Sequence, residues 1–240
     1  LQVLELLSEL YLLNNQKQKA FDIFKKIAAI SPENGRVHLT LANYYREQGK
    51  NEESFLELKT AFKSPKVNID TKIRILVSYF QFIGNDSEMT KQAHELSKIL
   101  IDTHNKQPKA HAIYGDVLYA EGRFKEAKEE YLIVLEQDKT KLEVWRQVLF
   151  IQAEESQFKE MIVTSRKALE YFPAEPLFYY FNGISNKLEK NYLLAVKSLE
   201  TGLEFVFDNN KLLVEYYSSL GDCYHSLKEH VISDSFYEKA

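Results

Sequence analysis

The sequence contains a single cysteine, Cys223, which excludes an internal disulfide and any multi-cysteine zinc site. Glycine (8) and proline (5) are scarce in 240 residues. That argues against a turn-rich all-β fold, a collagen-like chain or a disordered linker. No apolar run reaches the length needed to span a bilayer. Charge of one sign is also missing, since 31 Lys+Arg face 35 Asp+Glu for a net charge of -4. A surface that coats nucleic acid is therefore not expected.

What the chain does have is 45% hydrophobic and 28% charged residues, enough for a sizeable core. It also repeats itself. Tyr11 and Tyr45 stand 34 residues apart, and so do Ala20 and Ser54. Tyr114, Val148 and Asn182 keep the same interval, as do Ala127, Met161 and Ala195. Within each repeat an apolar stretch at helical spacing is followed by a polar or glycine break and a second such stretch. A fixed period of this size is the mark of stacked supersecondary units. Counted this way the single domain 1–240 divides into units 1–34, 35–69, 70–107, 108–141, 142–175, 176–213 and 214–240. Two units are longer, with extra residues expected around Gly84-Asn85-Asp86 and near Asp208-Asn209-Asn210.

The residues within a unit carry a resemblance. Leu4, Leu7-Ser8, Tyr11, Ala20, Phe24, Ile27 and Pro32 in the first unit, and His111, Tyr114-Gly115, Gly122, Ala127 and Tyr131 in the fourth, resemble the tetratricopeptide repeat. The last unit matches through Tyr217, Leu220-Gly221, Tyr224, Ser233 and Tyr237. The resemblance implies an all-α solenoid of about seven helix-turn-helix repeats, wound as a right-handed superhelix with the first helices lining a concave wall. Small residues at the eighth and twentieth positions would let two helix backbones approach closely, and the aromatics would fill the space between pairs. Some units depart from the pattern. Val77 stands where Gly or Ala is usual and Ser97 where an aromatic is expected, and Gln152 and Met161 depart similarly. These are read as ordinary drift. Asn182 and Asn186 occupy positions that should be apolar, and in a core they would need hydrogen-bond partners.

Catalytic signatures are missing. The six histidines form no HExxH, and His225 and His230, five apart, should splay around a helix. His38 and His111 fall on the large fourth position and read as core side chains. There is no phosphate-cradling GxxxxGK and no GxSxG elbow. Cys223, with no base placed beside it, reads as a buried structural thiol. Carboxylate pairs such as Glu52-Glu53 and Glu129-Glu130 read as solvated helix faces. No enzyme activity, cofactor or metal is expected.

The resemblance implies a groove lined by particular positions of each unit. Carried onto this chain, they give a basic stripe of Arg36, Arg46, Arg74 and Lys109, with Asn43 and Arg146 beside it. They also give one aromatic per unit, Phe82, Tyr119, Phe150 and Tyr180. Guanidinium forks suit carboxylates and aromatic faces supply apolar contact area. The expected partner is therefore a protein or peptide with acidic and apolar residues. The carboxylate-tail clamp used by some members of the family is disfavoured, because Glu5 and Glu9 would repel a terminal carboxylate. Alternatives are an accessory or regulatory region of a larger enzyme or signalling protein, and an RNA-binding solenoid. The latter conflicts with acids such as Asp116, Glu143 and Glu215 along the same wall.

The chain opens at Leu1 and stops at Ala240 inside a helix-like stretch, so both ends read as cut from a longer chain. Apolar residues at the two ends, Leu4 and Leu7 against Phe236 and Tyr237, suggest end-to-end self-association. Lys (25) far outnumbers Arg (6), a composition similar to that of repeat proteins of the Bacteroidetes. The bacterial cytoplasm and the cell envelope, as periplasmic protein or lipoprotein, are both compatible with it.

Overall fold

The computed structural model describes residues 1–240 and is all-α, with fourteen helices and no strand. The chain forms two compact units, Leu1–Glu130 and Tyr131–Ala240. The first holds α1 (Gln2–Leu13), α2 (Lys17–Ile30), α3 (Gly35–Glu47), α4 (Asn51–Lys63), α5 (Ile69–Val77), α6 (Ser87–His104) and α7 (Pro108–Ala120). The boundary falls inside α8 (Phe124–Gln137). The second holds α9 (Leu142–Glu154), α10 (Phe158–Tyr171), α11 (Pro176–Leu188), α12 (Tyr192–Leu203), α13 (Asn210–Ser226) and α14 (His230–Tyr237).

Each helix buries one stripe of its surface. On α2 the buried residues are Ala20, Phe21, Ile23 and Ile27, a spacing of three to four that keeps them on one face. They meet Val37 and Leu41 of α3, with Leu4 and Leu7 of α1 packed alongside. Around α5 and α6 the core is Phe62, Leu76, Leu96, Leu100, Ile113 and Val117. In the second unit Leu199, Tyr216, Leu220 and Cys223 form a corresponding cluster. Helices lie close where the sequence places small residues. A Cβ on Gly183 would sit 2.5 Å from Leu199 Cγ, so α11 and α12 meet at a distance only glycine allows.

The turns follow one rule. Seven of the eight residues with positive φ are Asn15, Gly49, Gly84, Gly122, Ser156, Lys190 and Lys228, and each stands fifteenth in its repeat as counted from the sequence. In six of these turns the following N–H donates to the carbonyl five residues back, as Gln16 to Tyr11 (2.8 Å) and Asn191 to Asn186 (2.8 Å). This is the left-handed closure that satisfies the orphan carbonyls of a helix end.

A second recurring contact explains the large fourth position. His38 and His111 donate Nε2–H to the carbonyls of Pro32 (2.9 Å) and Asn105 (2.8 Å). Trp145 Nε1 donates to Lys139 (2.9 Å), and the Tyr179 hydroxyl to Pro173 (3.0 Å). In all four the carbonyl lies six residues upstream, in the connection before the helix. A large ring with a polar tip both fills the core and satisfies that connection. Glu130, which the sequence places on a solvated face, is drawn to His111 Nδ1 at 2.6 Å.

The third helix pair breaks the pattern. Val77 occupies the eighth position, which five of the other six repeats give to a small residue and the fifth repeat to Leu149, and there α5 ends. Val77 is half-exposed and the chain continues through Ser78–Asn85 in tight turns, with N–H groups bonding three residues back. Gly84 nonetheless keeps the fifteenth place, so the extra residues of this unit follow it, in the connection to Ser87 and in α6, which is 18 residues long. The other lengthened connection is where the sequence puts it, between Leu203 and Asn210, with Asp208 in a left-handed conformation.

Two further expectations are corrected. His225 closes α13 and His230 opens α14, so the turn brings their rings to 5.1 Å instead of splaying them around one helix. Leu4 and Leu7 face inward, and the exposed stripe of α1 is Val3, Leu6, Leu10 and Leu13.

Candidate partner-binding cleft

In the second unit α9 packs on α11 and α11 on α13. In the first unit α3 and α5 instead leave a cleft of about 600 Å³ between them, floored by α4 and α6. It is a volume typical of ligand sites. Four residues singled out in the sequence line it, namely Asn43 and Arg46 from α3, Arg74 from α5, and Phe82 from the turns after α5. Thr71, Ser78 and Gln81 add hydrogen-bonding groups, and Phe55, Leu58, Ile75 and Met89 add an apolar floor.

The electrostatics of the cleft are one-sided. No Asp or Glu is among its lining residues. Arg46 Nη2 donates to Asn43 Oδ1 (3.1 Å) and Arg74 Nη2 to Thr71 Oγ1 (3.1 Å), both neutral acceptors. Two arginines elsewhere are neutralised. Arg123 pairs with Glu121 and Glu126, and Arg146 with Glu143 (2.7 Å) and Glu175 (3.0 Å). A guanidinium carries five donors, so both cleft arginines retain capacity for an anion. At the back of the cleft, the Tyr79 hydroxyl donates to Gln92 Oε1 (3.4 Å). Burial pushes Tyr79 up, and the Arg46 charge draws it partly back, so it stays a neutral donor at ordinary pH.

The other sequence candidates are placed differently. Arg36 is exposed at the start of α3 and does not line the cleft. Lys109 is exposed but tied to Asp70 at 2.7 Å, so the basic stripe is cut to Arg46 and Arg74. Tyr119 packs on Phe124, with ring centroids 5.2 Å apart. In the second unit Phe150 packs edge-on against Phe181, and the Tyr180 hydroxyl donates to Glu215 (3.0 Å). Burial, together with that carboxylate, pushes Tyr180 up to about 12. Arg146 and Phe150 border a separate cleft of about 620 Å³, with Leu177, Leu212 and the exposed Phe207. Its arginine is already bridged to two carboxylates.

Other polar groups prove to be structural. Asn182 Nδ2 donates to Ser165 Oγ (2.9 Å) and to the Ile162 carbonyl (3.3 Å). Its Oδ1 accepts from Ser198 (2.7 Å) and from Asn186 Nδ2 (3.1 Å). The pair is a satisfied buried network joining α10, α11 and α12. Cys223 is buried, and burial pushes its thiol up to about 11, the opposite of an activated nucleophile.

Paired helices with small residues at the close contacts, and a left-handed turn closing each pair, define the tetratricopeptide-repeat fold. Comparison with solved structures agrees. The chain is similar to the C-terminal part of a TPR repeat-containing protein from Cytophaga hutchinsonii, with 17% identity, 97% of this chain and 92% of that one covered, and a TM-score of 0.61. It is similar to MamA from Desulfovibrio magneticus RS-1 (14% identity, 70% and 92% covered, TM-score 0.58). It is also similar to PilF of Pseudomonas aeruginosa (16%, 84% and 88%, 0.55). At these identities the likeness establishes the fold. No protein-family model matches the chain, and no curated protein matches its sequence. No helix is long and apolar enough to cross a membrane.

Proposed function

We propose that the chain is a non-enzymatic scaffold that holds an acidic, partly apolar segment of a partner protein in the cleft between α3 and α5. The observation that carries this reading is the pair Arg46 and Arg74, set in a 600 Å³ cleft without a single lining carboxylate. Carboxylates of the partner complete the guanidinium hydrogen bonds, and such charge-assisted pairs are the strong ones. Phe82, Ile75 and Met89 offer apolar area beside them, while Asn43, Gln81 and Ser78 are placed to bond a peptide backbone. The helices are already packed, so little ordering opposes binding on the protein's side. The MamA and PilF folds support a scaffold reading in general.

Short fluorescent peptides rich in Glu and Leu test this against peptides in which Lys replaces Glu. The acidic peptide binds, more weakly as salt rises, and the Lys peptide does not. The double variant Arg46→Glu/Arg74→Glu, with unchanged helical circular dichroism, weakens the acidic peptide at least about tenfold. Equal affinity of wild type and variant would overturn the proposal.

A further inference from the structure

A second, smaller cavity of about 130 Å³ opens beside the arginine cleft, between α1, α2 and α3. Its character is different. Leu12, Ala20, Phe21, Phe24 and Tyr44 make it mostly apolar. The floor is rigid, because Phe21 stacks on Tyr44 with ring centroids 3.9 Å apart and Tyr45 meets Phe21 edge-on at 5.2 Å. Leu12 is exposed, so one wall of the cavity already presents apolar surface to water. The two charged residues of the lining, Lys17 and Glu47, neutralise each other at 3.1 Å. The cavity therefore offers no net charge, and a charged side chain entering it would lose its water for nothing in return.

Asn43 lines both cavities. Its Oδ1 accepts from Arg46 on the cleft side. One residue thus stands between a place that selects anions and a place that selects hydrocarbon. A segment lying across α3 meets both. An apolar cavity of about 150 Å³ holds a benzene-sized group, so 130 Å³ suits one aliphatic side chain.

Resting on the peptide-binding reading above, we propose that the partner segment is bipartite, with a carboxylate side chain between Arg46 and Arg74 and a neighbouring aliphatic anchor, of leucine or isoleucine size, seated in the Leu12–Phe21–Phe24–Tyr44 cavity. The arginines then set charge preference and the cavity sets which acidic segments are held. An acidic stretch without the anchor binds at the cleft alone and more weakly.

The test uses one acidic peptide with a single Leu, moved along the sequence position by position, and the same peptides with Asn in its place. Fluorescence anisotropy should show one Leu position at which Leu→Asn weakens binding about tenfold, the worth of burying one such side chain. Leu12→Asn, a neutral change at an exposed site, should remove that Leu preference while the Asn peptides bind as before. Thr40→Phe, which grows into the same cavity from α3, should act in the same way. If no Leu position matters, or if Leu12→Asn weakens Leu and Asn peptides equally, the bipartite assignment is wrong. In that case a loss on Arg46→Glu/Arg74→Glu leaves the arginine cleft standing. If that double variant also has no effect, the binding reading itself falls.

Discussion

Lys72 Nζ lies 2.8 Å from His104 Nε2, and the lysine is wholly buried. No carboxylate joins them. The ammonium instead donates to the Phe62 carbonyl at 2.7 Å, and Gln107 Nε2 lies 3.2 Å from His104 Nδ1. Thr103 Oγ1 also donates to the Phe62 carbonyl (3.2 Å). The third repeat has Ile73 where five of the other repeats place a ring with a polar tip, and the lysine beside it instead supplies a donor to the last turn of α4.

This pair makes stability depend on pH. Burial lowers Lys72 to about 8, against an ordinary 10.5. Burial first, and then the Lys72 charge, lower His104 below its usual 6.5. In both cases the unfolded chain binds the proton more readily than the folded one, so stability rises with pH across each window. It is lost from His104 as pH falls below about 6.5, and recovered from Lys72 as pH rises from 8 towards 10.5. Urea unfolding from pH 5 to pH 10, wild type against Lys72→Met, measures this. The variant should lack the rise above pH 8 and show a shallower loss in acid, because His104 no longer faces a cation. Parallel curves would contradict it.

The buried asparagines give a second prediction. Asn182→Ala leaves Ser165, Ser198 and Asn186 short of partners in a closed core. The cost should be about 1–3 kcal/mol for leaving such groups unsatisfied, read as a lower urea midpoint with an unchanged slope. A loss below about 0.5 kcal/mol would mean the network is wet or loosely held.

The turn rule gives a third. Lys190 and Lys228 are held at φ 62° and 66°, where glycine belongs. The left-handed penalty of about 1–2 kcal/mol exceeds the roughly 0.4–1 kcal/mol lost through a freer unfolded chain. Lys190→Gly should therefore stabilise by about 0.5–1 kcal/mol, while Gly122→Ala, at φ 75°, should destabilise. Thermal or urea midpoints moving the opposite way would refute the turn assignment.

Much of this was legible in the residues themselves. The interval between aromatics and small residues marked the helix pairs, because those side chains must recur wherever two backbones approach. The satisfied asparagines were foreshadowed by their polarity at apolar positions. The left-handed turns were half hidden, since only Gly49, Gly84 and Gly122 announce them and Asn15, Ser156, Lys190 and Lys228 adopt the same conformation. Val77 was visible as a misfit, but the early end of α5 and the cleft it opens depend on three-dimensional packing. Arg46 and Arg74 were legible as a basic pair. That Lys109 would be taken by Asp70, a contact across 39 residues, was not.

The most direct measurement is amide chemical-shift mapping of the intact chain titrated with the Glu- and Leu-bearing peptide. Shifts should concentrate in α3, α5 and residues 78–86 and vanish in Arg46→Glu/Arg74→Glu. Shifts gathered instead around Arg146, Phe150 and Phe207, or unchanged by the double variant, would contradict the arginine cleft as the place where a partner is held.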